Sequence, residues 1–338
     1  MLKYALFAGV AVSVLLFSAL LLKILIPKLR EMKIGQMILE EGPVWHKSKE
    51  GTPTMGGLAF IVAVPLFTGI FIALIWAMGN GTGVHGEPIS AISLNRVWLT
   101  LAYAVACGIC GIIDDLCKLL HRANGGLRAW QKYLILLAFT AAYLWAMHRF
   151  CDMGTEVYIP FFGVRLDFGV FYWVFAAVLL TGTVNAVNLT DGIDGLCGSV
   201  SAVAVLFYFA CALWVGNTGL GVLAACGFGS ICGFLSFNLY PAGVFMGDTG
   251  SLFIGGLISA LAFASELPMT IFVVGIIYML EALSVIIQVL VYKLSGKRIF
   301  KMAPIHHHLE KSNWSERKIV RLFTACTALA ALACALLG

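Results

Sequence analysis

Charge is what this sequence has least of. Lysine, arginine, aspartate and glutamate make up 12% of its 338 residues, against about 25% in an ordinary soluble domain. Apolar residues take their place, reaching 61% where a soluble domain holds about 45–50%. Mean hydropathy is +0.95. That much apolar surface cannot be hidden in one aqueous core, so a soluble two-domain reading from length alone is excluded. The same composition excludes disorder, a collagen-like repeat and a nucleic-acid-binding tail, and no nucleic acid is expected as a partner. The solvent that fits is a bilayer, whose hydrocarbon core takes roughly 20 residues per helix.

Zinc-finger spacing is also missing. There are ten cysteines, most inside apolar runs, and no CxxC pair stands beside histidines at metal-ligand spacing. They read as small buried hydrophobes. The N-terminal run Tyr4–Leu22 lacks a small-x-small cleavage site, and more basic residues follow it than precede it. It reads as an uncleaved first span.

Charge-poor stretches place about ten spans, at roughly 4–26, 56–77, 97–113, 133–149, 169–187, 199–215, 219–240, 251–265, 269–292 and 319–337. The charge-free run Gly195–Gly247 is too long for one crossing and divides at Gly216-Asn217-Thr218-Gly219, a turn signal. Basic residues set the orientation. One set of loops carries Lys28, Arg30, Lys33, Lys47 and Lys49, then Lys118, Arg122, Arg128 and Lys132, and finally the basic stretch from Lys297 to Lys318. The opposite set carries only Lys3, Arg96, Arg149 and Arg165. The first set is expected on the cytoplasmic side. The expected fold is an all-α integral membrane protein of about ten transmembrane helices, both termini extracytoplasmic. Residues 1–338 form a single polytopic membrane domain, with no polar segment long enough for a soluble one.

The rare polar residues fall on one side of this map. Gly51-Thr52-Pro53-Thr54, Asp114-Asp115, Asn185 to Asp194, Asn238 to Asp248 and His306-His307-His308 all sit at cytoplasmic ends or loops. The outer loops carry nothing comparable. Acids at a membrane boundary are expensive and mark function by default. Asp114 and Asp115 point about 100° apart on a helix, so one can meet a metal or accept a proton while the other orients it. Asp191 and Asp194 share a face if their segment is helical, as do Asn185 and Asn188. Amides and carboxylates together suit a base, a sugar or a hydrated metal. Asp248 opens a span, where a helix start favours phosphate or metal-phosphate; capping that helix is the structural alternative. Three consecutive histidines diverge too far to chelate one ion, but one or two can touch phosphate or move a proton. Glu281 and Gln288, seven apart, share a face that should look into a groove or the protein interior. Acids that need a metal, cations that suit phosphates and a membrane platform together point to phosphoryl transfer to a lipid.

Five motifs in order then carry a resemblance. GTPTMGG at Gly51–Gly57, the Asp114-Asp115 pair, NAVNLTDGIDG at Asn185–Gly195, GDTGSL at Gly247–Leu252 and MAPIHHH at Met302–His308 resemble the phospho-N-acetylmuramoyl-pentapeptide transferase (MraY) family. That family lies within the polyprenyl-phosphate N-acetylhexosamine-1-phosphate transferases. The likeness runs from about Gly35 to Glu316. It implies a ten-span fold in the bacterial inner (plasma) membrane, a homodimer, and Mg²⁺ as cofactor. It implies transfer of phospho-MurNAc-pentapeptide from UDP-MurNAc-pentapeptide to undecaprenyl phosphate, giving lipid I and UMP. By motif, Asp248 resembles the Mg²⁺ ligand and Asp114 and Asp115 the catalytic pair, with Asp114 a base or orienting group. Asn185, Asp191, Asn238 and Phe245 resemble groups around the nucleotide, with Phe245 stacking on the base; Asp194 belongs to the same substrate site. Lys49, Thr54, Asn188, Gln288, His306 and His307 resemble the lining of the sugar and phosphate pocket, and His306 is also a candidate acid or base. Lys118 and Lys132 stand where the family has cations near the phosphates.

Two other readings compete. A sister enzyme moving GlcNAc-1-phosphate onto a polyprenyl phosphate shares the acid clusters, but the GTPTMGG turn and the histidine run favour the muramoyl-pentapeptide enzyme. A cation-coupled transporter should carry charges near the midplane and on both sides, and here only Glu281 and Gln288 lie deep.

Overall fold

An apolar run of about twenty residues folds as a helix in lipid because every backbone polar group is then satisfied within the segment. The computed structural model describes residues 2–32, 49, 51–79, 81–83, 86–121, 126–160 and 162–337. Lys33, Lys47 and Arg122 of the basic loops, and Gly35 where the family likeness begins, lie outside the described residues. The helices are α1 (Leu2–Glu31), α2 (Leu58–Met78), α3 (Ala91–His121), α4 (Ala129–Cys151), α5 (Phe171–Thr190), α6 (Leu196–Trp214), α7 (Thr218–Asn238), α8 (Gly247–Ala264), α9 (Thr270–Val274), α10 (Ile276–Ser295), α11 (Ile305–Glu310) and α12 (Glu316–Leu337). Ten of them are long and apolar enough to cross a membrane, as expected. The strands β1 (Glu156–Ile159) and β2 (Val164–Asp167) form an antiparallel hairpin between α4 and α5, with Glu156 opposite Asp167.

Three features differ in kind from the sequence reading. The third span was expected over roughly 97–113, with Asp114 and Asp115 ending its helix, but α3 runs on past them to His121. The acids stay in the helix because Lys118, one turn on, pairs with Asp114 at 2.7 Å. The ninth span, expected unbroken over 269–292, is split into α9 and α10 at Gly275. There the chain turns so tightly that a Cβ would lie 2.4 Å from the Ile271 carbonyl oxygen. Finally, Asp191 and Asp194 do not share a helix face. α5 ends at Thr190 and α6 begins at Leu196, and glycines at 192 and 195 make the intervening segment a turn.

α8 is the centre of the bundle, with every residue from Thr249 to Ala264 buried. α3 packs along it on one side and α5 on another, while α1 and α6 pack on α7. Two glycines let the neighbours approach its start. A Cβ on Gly111 would lie 2.1 Å from the Asp248 carbonyl oxygen, and one on Gly57 would lie 2.2 Å from the Gly250 backbone. The ends that converge there are the C-terminal parts of α3, α5, α7 and α10 and the N-terminal parts of α4, α6, α8 and α12. All the polar clusters therefore share one end of the bundle.

Candidate active site

The site is built around the first turn of α8. Asp115, reaching across from α3, accepts hydrogen bonds from the Asp248 N–H at 3.2 Å, the Thr249 N–H at 2.9 Å and the Thr249 hydroxyl at 2.7 Å. It satisfies orphan donors at a helix start, as an N-cap does, but from another helix. Asp114, the residue before it, has different partners. Its Oδ1 accepts from the Leu127 N–H at 2.8 Å, and its Oδ2 meets Lys118 at 2.7 Å. Both carboxylates are buried.

Asp248 faces this pair. Its Oδ2 takes Lys118 at 3.0 Å and Lys132 of α4 at 2.8 Å. Its Oδ1 accepts from the Asn188 amide at 2.8 Å, which also donates to the Ser251 hydroxyl at 2.8 Å. Lys132 lies 3.4 Å from the Asn188 carbonyl oxygen. Thr54 flanks the same spot, its hydroxyl 2.9 Å from where a Cβ on Gly247 would stand. One oxygen from each of Asp114, Asp115 and Asp248 lies within 4.8 Å of the others. Three hard oxygen donors so close suit a hard divalent cation, which prefers carboxylates to sulfur or imidazole. Asp114 and Asp248 are the better placed, since Asp115 is committed to the backbone of α8.

A second network lies beside the first. Lys49 joins Asp194 at 2.7 Å and Glu316, at the start of α12, at 2.8 Å. Glu316 also accepts from the Asp194 N–H at 3.1 Å, and the other Asp194 oxygen accepts from the Ala242 N–H at 2.9 Å. Burial opposes the charge on Lys49, but the two carboxylates outweigh it and hold its pKa above the ordinary value. Asn238 accepts from the Gly195 N–H at 3.0 Å and donates to the Val244 carbonyl at 2.9 Å, so its amide ties two loops together. Phe245 is half-buried, and its backbone pairs with Pro53 and Gly56. Asn185 donates to Thr181 on its own helix, one turn from Asn188. Asp191 makes no side-chain hydrogen bond among the described residues. Burial first, then the charges of Asp248, Asp115 and Asp194, push its carboxyl up to about 8.

The histidines diverge, as their adjacency required. His306 Nδ1 meets Glu281 of α10 at 3.0 Å, His307 Nδ1 meets Glu310 at 2.6 Å, and His308 Nδ1 accepts from the Lys301 N–H at 3.1 Å. Gln288 accepts from the Phe300 N–H at 2.9 Å and so holds the loop before α11.

Comparison with known proteins gives the family. The model for glycosyl transferase family 4 matches residues 97–266, which contain the acids and both lysines of the first network. A phospho-N-acetylmuramoyl-pentapeptide-transferase signature matches residues 49–61. Phospho-N-acetylmuramoyl-pentapeptide-transferases are similar over nearly the whole chain. That of Clostridium botulinum (strain Alaska E43 / Type E3) is 42% identical, covering 92% of this chain and 90% of its own. Those of Clostridium beijerinckii and Clostridium kluyveri are 43% and 44% identical, over 93% and 91% of this chain and 91% and 92% of their own. The chain belongs to the phospho-N-acetylmuramoyl-pentapeptide transferase family. It is a multi-pass enzyme of the bacterial inner membrane that transfers phospho-MurNAc-pentapeptide in peptidoglycan synthesis.

Four residues of the candidate site were not singled out from the sequence as site residues. Glu316 looks like one more charge in a basic loop until the fold brings it to Lys49. Thr249 and Ser251 stand in the GDTGSL motif, but nothing local names Asp115 and Asn188 as their partners. Glu281 was legible as an intramembrane acid, but nothing in its neighbours names His306 as its partner.

Proposed function

We propose that this enzyme moves phospho-MurNAc-pentapeptide from UDP-MurNAc-pentapeptide to undecaprenyl phosphate, releasing UMP and forming lipid I, with Mg²⁺ as cofactor. The reaction takes place at the cytoplasmic face, with both termini on the opposite side and two copies pairing as a homodimer. The observation that carries the reading is the Asp114–Asp115–Asp248 group, three carboxylate oxygens within 4.8 Å with two lysines on Asp248. The sidedness follows from Lys118, Lys132 and the basic stretch after α10, which share that end of the bundle.

Asp248, with Asp114 opposite, would hold the metal. Bound there, it supplies positive charge that offsets the repulsion between two phosphate groups. The protein's own residues do the positioning. Lys118 and Lys132 place two ammonium groups beside the acids, where they offset the charge of the diphosphate. An oxygen of the acceptor phosphate attacks the β-phosphorus, the bond from that phosphorus to the bridging oxygen breaks, and UMP leaves with the electron pair. Asp114 takes the acceptor's remaining proton. Asp115 takes no part in bond making and sets the start of α8, and with it Asp248. Asn188 fixes the Asp248 rotamer. Asn185, Asp191, Phe245 and Asn238 border the nucleotide, while Lys49, Thr54, Asp194, Gln288 and His307 border the sugar phosphate. A one-step displacement is preferred because the acceptor is already an anion and needs little activation.

The deciding experiment measures UMP release by the purified enzyme with defined UDP-sugar, undecaprenyl phosphate and Mg²⁺. Turnover with UDP-MurNAc-pentapeptide is expected, and turnover with UDP-GlcNAc alone would overturn the reading. Inversion is expected at a chiral β-phosphorus, whereas retention would require a covalent aspartyl intermediate.

A further inference from the structure

One buried pair near the site has no role in the transfer described above. Glu281 of α10 is 0% exposed and His306 of α11 is 1% exposed. They meet through His306 Nδ1 and one carboxylate oxygen at 3.0 Å. The far atom of each partner, His306 Nε2 and Glu281 Oε1, is buried without a hydrogen bond. A membrane helix does not keep such a carboxylate cheaply, and a buried polar atom left unpaired is destabilising.

The ring is not free to turn. Its Nε2 lies against Gly192, where an added Cβ would stand only 2.2 Å away. Gly192 belongs to the turn between α5 and α6 that carries Asp191 on one side and Asp194 on the other. The His306 ring also packs on His307, with ring centroids 4.1 Å apart. Three elements therefore meet at one imidazole: α10 through Glu281, α11 through its own backbone, and the α5–α6 turn through Gly192.

We propose that Glu281 is a positioning residue for the UDP-sugar, acting through His306 on the Asp191–Asp194 turn. The hydrogen bond to Nδ1 fixes the plane of the ring, and the ring edge sets how far Gly192 stands from α11. That spacing decides where Asp191 and Asp194 are presented. Glu281 touches neither substrate nor metal. The inference rests on the proposed nucleotide-sugar site at this turn.

The test uses the full-length enzyme in detergent, with UMP release as the assay and UMP binding as an independent readout. Glu281→Ala should raise the KM for the UDP-sugar and the Kd for UMP by roughly tenfold, the scale of a lost buried hydrogen bond, with kcat within threefold of wild type. Glu281→Gln keeps a group that can bond Nδ1 and should return both to within threefold. Gly192→Ala should reproduce the KM rise, since its Cβ must displace the ring or the turn. A merely structural role predicts a lower melting temperature with KM and Kd unchanged, and that result in folded Glu281→Ala or Gly192→Ala would overturn the proposal. A fall in kcat at constant KM would overturn it too, placing the pair in the chemistry. A tenfold KM rise in the isosteric Glu281→Gln would overturn it by making charge rather than the hydrogen bond the cause. If the wild-type enzyme itself released no UMP from UDP-MurNAc-pentapeptide, the functional reading would fail instead.

Discussion

Replacing Asp248 with asparagine separates the site's chemistry from its architecture. The substitution removes one negative charge while leaving the size of the side chain. Asn188 loses a charged acceptor at 2.8 Å but keeps its bond to the Ser251 hydroxyl. Lys118 loses a contact at 3.0 Å and keeps Asp114 at 2.7 Å. Lys132 loses most, retaining among the described residues the Asn188 carbonyl at 3.4 Å. The two lysine side chains are 37% and 17% exposed, so water can take over part of what they lose. The folding penalty should be about 1–3 kcal/mol, since solvent screens Lys118 but Lys132 and Asp248 are largely buried. Activity should fall in the folded enzyme as well. Losing a charge contact made at the reacting centre costs about 10²-fold or more, equivalent to roughly 2.7 kcal/mol of barrier. Initial rates of UMP release at saturating substrates and Mg²⁺, together with melting curves in detergent, give both quantities. A kcat within threefold of wild type in a folded variant would refute the role assigned to Asp248.

Asp115→Ala should behave in the opposite manner, lowering stability first. It strips two backbone N–H groups and a buried hydroxyl of their acceptor, at about 1–3 kcal/mol each, and an unchanged melting temperature would refute the capping role. Gly111→Ala drives a Cβ to 2.1 Å from a backbone oxygen that cannot move without α8, so it should cost on the order of 3 kcal/mol and at least tenfold in rate; wild-type values in both would refute the close seat. The Asp191 carboxyl, pushed up to about 8 from an ordinary 3.8, keeps a proton in the folded protein that the unfolded chain releases. Stability should therefore decline as pH rises from about 4 to about 8, and Asp191→Asn, neutral throughout, should flatten part of that decline; an identical slope in the variant would refute the shift.

Much of this is legible in the sequence. The ten spans follow from apolar runs, and the grouping of acids at one end follows from the alternation of basic loops. What stayed illegible depends on distance. Helix geometry already set the two adjacent aspartates about 100° apart, but not which of them caps α8 and which faces Lys118. The Asp191–Asp194 spacing suggested a shared helix face, but glycines at 192 and 195 favour a turn, and tertiary packing selected it. Lys49 reads as a pocket cation and is also the knot between Asp194 and Glu316, a partner 267 residues away that no local pattern can identify. The β-hairpin escaped notice because four-residue strands carry too little alternation to stand out.

The cap that Asp115 places on α8 has a consequence for ligands. A helix pinned at its first turn by a neighbour, and enclosed along the rest of its length, cannot swivel or slide to suit what binds it. The floor of the site is therefore a fixed template. Adaptation to different ligands has to come from the rim: the turn after α5 and the short helix bearing the histidines. An inhibitor built to the floor gains affinity from rigidity. One built to the rim must hold several loops still at once, and loses part of its binding free energy in ordering them.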